Sequence, residues 1–155
     1  MRAGLTVFAA LAAFSAQAQW SVERLPAAEG KAPAVSCHMA SAWQDMFDGY
    51  QTTQVRVVVD EARFELQSRA PFDNALSDVA LQVDGAALLR AESLLSDRVA
   101  TFALSRAQLV RQCIPGSRLR IHARFWPTWP QTAVQTTDIS LIGFTRAFEA
   151  YSKCE

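Results

Sequence analysis

The sequence predicts a mainly β domain, an antiparallel β-sandwich or partly open barrel with two short helices, including a C-terminal helix. Three observations predict it. Apolar residues alternate with polar ones over several short stretches, turn residues separate those stretches, and helical spacing is confined to two brief segments. Half of the chain is hydrophobic and about a fifth is charged, an ordinary globular composition.

The first eighteen residues stand apart. Arg2 supplies a positive start, Leu5–Phe14 is a short apolar run, and Ala16-Gln17-Ala18 has the small-x-small form that signal peptidase cuts. The run falls short of the roughly 20 apolar residues a bilayer span needs, and Trp20, Glu23 and Arg24 follow at once. Residues 1–18 are therefore expected to be a signal peptide and 19–155 a single β-rich domain. The mature chain is expected to be periplasmic or secreted, with no transmembrane segment.

Within that domain, Gln19–Arg24 reads as a short first strand and Val35–Met39 as a strand carrying Cys37. Ala42–Tyr50 is ambiguous, because Trp43, Met46 and Phe47 have helical spacing while an Asp48-Gly49 turn lies close behind. Val55, Val57 and Val59 alternate with Arg56, Val58 and Asp60, and Phe64 and Leu66 continue the pattern after a turn. Val79, Leu81 and Val83 alternate again before Asp84-Gly85, a hairpin signal leading to Ala86–Arg90. Val99–Leu104 is a further strand.

Ser105-Arg-Ala-Gln108 has the form of a capping box, which predicts a helix opened by the serine hydroxyl and the glutamine side chain. That helix carries Leu109, Val110 and Cys113 on one side, so Cys113 is expected to face the core, and it stops at Pro115-Gly116. Arg118–Trp126 is the clearest strand, with Leu119, Ile121, Ala123 and Phe125 on one face. Two prolines in Trp126-Pro-Thr-Trp-Pro130 must end it. Thr132–Leu141 is extended, and Phe144, Ala147, Phe148 and Tyr151 recur at helical spacing.

Three cysteines in an oxidising compartment imply at least one disulfide and one cysteine left over. The reading favours Cys37–Cys154, which would pin the C-terminal helix to an early strand. The other two pairings stay open on sequence alone.

Lys+Arg and Asp+Glu both number 15, so bulk charge argues against nucleic acid as a partner. Recognition must come from local patterning. Arg118, Arg120, His122 and Arg124 occupy the outward face of the clearest strand, a row about 20 Å long at roughly 3.3 Å per residue. Such a row suits an acidic protein surface or an anionic glycan. The commoner outcome for an antiparallel strand is a solvated face paired with neighbouring carboxylates. Trp126 and Trp129 form the second candidate, since indoles on a proline-stiffened loop make rigid contact area. Trp126, adjoining the strand, is expected to fold over a core edge, while Trp129 is equally balanced between core and surface. If both are exposed, they join the basic row in one cationic-aromatic patch.

Ile139-Ser140-Leu141-Ile142-Gly143-Phe144-Thr-Arg-Ala147, preceded by Val83-Asp84-Gly85 and a strand after Gly116, resembles the invasion-associated locus B family of exported bacterial proteins. The same segment, ending in Cys154, is also similar to the C-terminal signature of a type VI secretion-associated accessory family. Both resemblances imply a small β-rich periplasmic or extracellular domain, and neither carries a catalytic residue.

Catalytic patterns are lacking. The chain has no nucleophile elbow, P-loop or dinucleotide fingerprint. Two isolated histidines without a Cys-x-x-Cys give no ligand spacing, so neither metal nor cofactor is expected. Cys37 and His38 are adjacent, which on a strand sends them to opposite faces. Asp45, Asp48, Asp60 and Glu61 read as turn and surface carboxylates. The expected function is a non-enzymatic binding or accessory protein of the bacterial envelope, recognising an envelope or host protein or an anionic glycan. The alternative is a periplasmic inhibitor of a lysozyme-like enzyme or protease. A glycan-active enzyme would require two carboxylates facing each other across a cleft.

Overall fold

The computed structural model describes residues 19–25, 36–73, 78–127 and 133–154. The expected signal segment, Trp129 and the rest of the 128–132 loop lie outside the described residues.

Two antiparallel sheets share one apolar core. The larger holds β1 (Trp20–Leu25), β2 (Ser36–Ser41), β3 (Gln44–Phe47), β4 (Thr52–Val59), β5 (Phe64–Ser68), β8 (Ser93–Ser96) and β9 (Val99–Phe102). Its order is β1-β2-β4-β5-β9-β8, and β3 pairs with β4 beside β2. The smaller holds β6 (Ala80–Val83), β7 (Leu89–Arg90), β10 (Arg118–Ala123) and β11 (Gln135–Ser140), in the order β11-β10-β6-β7. Helices α1 (Arg106–Cys113) and α2 (Phe144–Tyr151) complete the fold. The arrangement is sandwich-like and does not close into a barrel.

Alternation explains the sheets. β5 buries Phe64, Leu66 and Ser68 and half-exposes the residues between. β10 buries Leu119, Ile121 and Ala123 against Leu81, Val83 and Ile139. The apolar faces of the two sheets meet around Met39, Val57, Phe102, Leu109 and Phe144, all fully buried. Between β7 and β8 the chain crosses from one sheet to the other. Ala91 N–H donates to Val79 O (2.8 Å), and Glu92 N–H donates to Thr101 O (2.9 Å).

The ambiguous Ala42–Tyr50 segment resolves as strand β3. The helical spacing of Trp43, Met46 and Phe47 is incidental. Met46 is buried in the core while Phe47 is turned outward, as a period of two requires. The Asp48 carboxylate closes the following turn by accepting Tyr50 and Gln51 N–H, each at 2.8 Å, and Gly49 takes the positive φ (106°) the turn needs.

The capping-box expectation is corrected. Ser105 is the N-cap of α1 but makes no side-chain cap bond. Its hydroxyl points instead to Glu92 Oε1 (3.4 Å), and the Glu92 carboxylate receives Ala103, Leu104 and Ser105 N–H at 2.7, 2.9 and 3.1 Å. The Glu92 carboxylate thus takes the Ser105 N–H that Gln108 would accept in a capping box, and as a charged acceptor it draws the Ser105 hydroxyl away from the helix amides. Strand β8 was also missed by the sequence reading, its alternation being short and mostly exposed.

At the other end, Cys37 and Cys154 form the favoured disulfide, tying β2 to the end of α2. Cys113 is a buried free thiol on the inner side of α1. Helix α2 packs through Phe144, whose ring meets Trp20 edge-on at 4.9 Å. Trp20 Nε1–H donates to Ser140 O (2.9 Å), joining the edges of the two sheets.

Candidate functional site

The basic row is built on β10. Register places Arg120 opposite Asp138 of β11, and the pair forms a two-pronged contact, Nε to Oδ1 at 2.8 Å and Nη2 to Oδ2 at 3.0 Å. Arg118 reaches the same carboxylate at 3.5 Å. Arg124 Nε lies 3.1 Å from Asp78, an ion pair without hydrogen-bond alignment. His122 Nε2 sits 3.3 Å from Gln82 Oε1 on the neighbouring strand. The Arg120 hydrogen bond holds the Asp138 carboxyl below its ordinary range. Burial, then the charge of Arg120, holds His122 below the usual imidazole value, so it is neutral near pH 7. The row thus lies on one face with its arginines matched to carboxylates, as an antiparallel surface commonly arranges them.

The strand ends differently from expectation. Trp126 was expected over a core edge, but it is 58% exposed. Phe125 takes the inward position, stacking on Phe72 with ring centroids 5.6 Å apart, so the next residue must face out. The backbone fixes this placement. Trp126 N–H donates to Pro71 O (2.9 Å), Asp73 N–H to Arg124 O (2.9 Å) and Phe72 N–H to Asp97 O.

Trp126 and Pro127 form one wall of a cleft of about 880 Å³. Its other walls come from three separate places: the turn between β3 and β4 with Tyr50, the end of β5 with Arg69, and the β8–β9 turn with Arg98. Hydrogen bonds lock these pieces together. Ser68 N–H donates to Arg98 O, and Arg69 N–H donates to Gln54 O, each at 2.9 Å.

The electrostatics of the cleft differ from those of the row. Arg69 lies over the Trp43 ring at 4.3 Å from its centroid. Arg56 shares that ring at 4.9 Å but is paired with Glu23 at 3.1 Å. Among the described residues no carboxylate pairs with Arg69 or Arg98. The two cleft carboxylates are engaged elsewhere, Asp48 by its turn amides and Asp45 by Gln54 Nε2 at 3.1 Å. The cleft therefore offers exposed aromatic surface, amide and hydroxyl groups, two arginines, and two carboxylates already held by hydrogen bonds.

Of the residues singled out from sequence, the structure brings Trp126, Asp45 and Asp48 into this cleft and leaves Arg118, Arg120, His122 and Arg124 outside its lining. Tyr50, Arg69 and Arg98 were missed. They sit at turns where no motif marks them, and only the Asp48-Gly49 turn signal pointed toward one wall.

Among the described residues no three His, Cys, Asp or Glu side chains gather where they could hold a metal ion. Nor is any helix there long and apolar enough to cross a membrane. Comparison with family models, curated proteins and solved structures finds no match to the chain.

Proposed function

We propose that the chain is an exported, non-enzymatic binding or accessory protein of the bacterial envelope, and that it meets its partner at the Trp126 cleft. The observation that carries this reading is the exposed indole of Trp126 facing a recess whose arginines lack carboxylate partners among the described residues. The Cys37–Cys154 disulfide supports a place outside the reducing cytoplasm, in keeping with the signal-like residues 1–18. A role in host interaction, which the resemblance to the locus B family implies, or in secretion, which the similarity to the type VI secretion-associated family implies, belongs to the same proposal.

The basic row supports the reading less directly. An anionic partner would have to displace Asp138 before meeting Arg120, giving up a two-pronged bond already made. Arg69 and Arg98 impose no such exchange.

A photo-crosslinking residue at Thr52, on the cleft wall, tests the proposal in the producing cell. A dominant adduct supports the binding reading, and an adduct with a lysozyme-like hydrolase or a protease would assign the inhibitor alternative. Adducts from a probe at Arg118 with none from Thr52 would return the contact surface to the basic row.

A further inference from the structure

We infer that the occupant of the Trp126 cleft is a carboxylate-bearing sugar chain, an inference that rests on the cleft being the binding surface. Three features of the site select this chemistry.

The first is charge. Arg69 and Arg98 line the cleft from different turns, and among the described residues neither guanidinium meets a carboxylate. A guanidinium fork matches a carboxylate in geometry as well as sign. Arg69 is stacked over Trp43, which orients it without neutralising it, so part of the ordering cost of binding is already met.

The second is the wall opposite. The exposed face of Trp126 and the adjoining Pro127 present flat, rigid apolar surface, on which the C–H face of a sugar ring can lie. Thr52, Gln51 and Gln54, exposed along the floor, supply hydroxyl and amide groups suited to a ligand rich in hydroxyls. A few placed polar groups around an apolar wall is the usual build of a small-ligand site.

The third is the backbone, and it separates a glycan from an acidic peptide. An extended peptide gains affinity by adding a strand to a free sheet edge. At the floor of the cleft Thr52–Gln54 of β4 pair with β3, while pairing with β5 begins at Val55 and is extended by Arg69 N–H donating to Gln54 O. The amides of Ser68 and Arg69 are already donated to Arg98 O and Gln54 O. Among the described residues of β4, only Thr52 and Thr53 lack a ladder partner on that side, too short an edge to seat an extended peptide, so recognition falls to side chains, as a sugar chain requires.

Isothermal titration of residues 19–155 with galacturonic acid hexamer, maltohexaose and a hexaglutamate peptide tests this. Binding of the uronate over the neutral hexamer and the peptide is expected. Arg98→Gln, which breaks no side-chain hydrogen bond or ion pair among the described residues, should weaken that binding about tenfold or more. Arg69→Gln should do the same, with Arg69→Lys intermediate because charge is kept and the fork is lost. Arg111→Gln, on the outer side of α1, should leave binding unchanged and so excludes a bulk charge effect. Binding of hexaglutamate alone, or uronate binding indifferent to Arg98→Gln, would overturn the glycan inference and leave the cleft reading intact. Equal binding of maltohexaose would overturn it as well. Absence of all binding, together with no adduct from Thr52, would overturn both.

Discussion

Arg120 holds Asp138 in a two-pronged pair across the β10–β11 ladder, at 2.8 and 3.0 Å, and Arg118 approaches the same carboxylate at 3.5 Å. One aspartate thus answers two arginines of a row that, read along the chain, is purely cationic. Binding potential on a strand depends on what stands opposite as much as on the strand's own residues.

This pair has a pH signature. Arg120 holds the Asp138 carboxyl below its ordinary value of 3.8, so its folded value is depressed relative to the unfolded chain. A depressed carboxyl contributes stability that is present above the unfolded value and lost as pH falls through the folded one. Asp138→Asn should therefore lose about 0.2–1 kcal/mol near neutral pH, the range of an exposed ion pair. The gap between wild type and variant should narrow as pH drops from about 7 to below about 3. Urea midpoints across that range check it, and a gap that widens in acid would refute the assignment.

The three cysteines should differ sharply in behaviour. Burial, and then the nearby Asp84 charge, pushes the Cys113 thiol up to about 12. A thiol with so little thiolate near neutrality resists alkylation while the fold is intact. Iodoacetamide should leave the native protein unlabelled and add one group per chain once urea unfolds it without reductant.

Loss of the Cys37–Cys154 bond should be costly, because it closes a loop spanning 117 positions. Cys154→Ser is expected to lower stability by about 2–5 kcal/mol, the usual range for a native disulfide in a small domain. Equilibrium unfolding with and without reductant provides the measurement. Reductant should shift the wild type to the variant's midpoint and leave the variant where it is.

Gly116 sits where no side chain fits. A Cβ there would approach Gln112 O at 2.7 Å, Leu141 Cδ1 at 2.8 Å and Val83 Cγ1 at 2.9 Å. The first of these is backbone of α1 and cannot swing aside, so Gly116→Ala must push the helix end away from Val83 of β6 and from Leu141. A cost of about 1–3 kcal/mol is expected, as for other overpacked sites. Gly85→Ala meets nothing within 4 Å and carries only the strain of its φ of 78°. Comparing their denaturant midpoints separates crowding from backbone strain.

Alternation of apolar and polar residues determined much of this protein from sequence alone. It marked the strands around Val57, Leu66, Leu81 and Ile121, turned Cys113 inward on its helix, and gave the C-terminal helix its buried face. These features depend on a residue and its near neighbours in the chain, which is what periodicity records. Tertiary structure decided what lies across the gaps. Met46 and Phe47 carried two periods, and only pairing of β3 with β4 selected the strand. Glu92, 13 positions away, took the Ser105 N–H that Gln108 would accept in a capping box and drew the Ser105 hydroxyl with it. Phe125 claimed the core position that put Trp126 into solvent. Asp138 cancelled the charge of Arg120, while Arg69 and Arg98 met Trp126 only because three distant turns close on one another. Neighbours across a sheet are chosen by topology and burial of the whole chain, and no local pattern of residues encodes them.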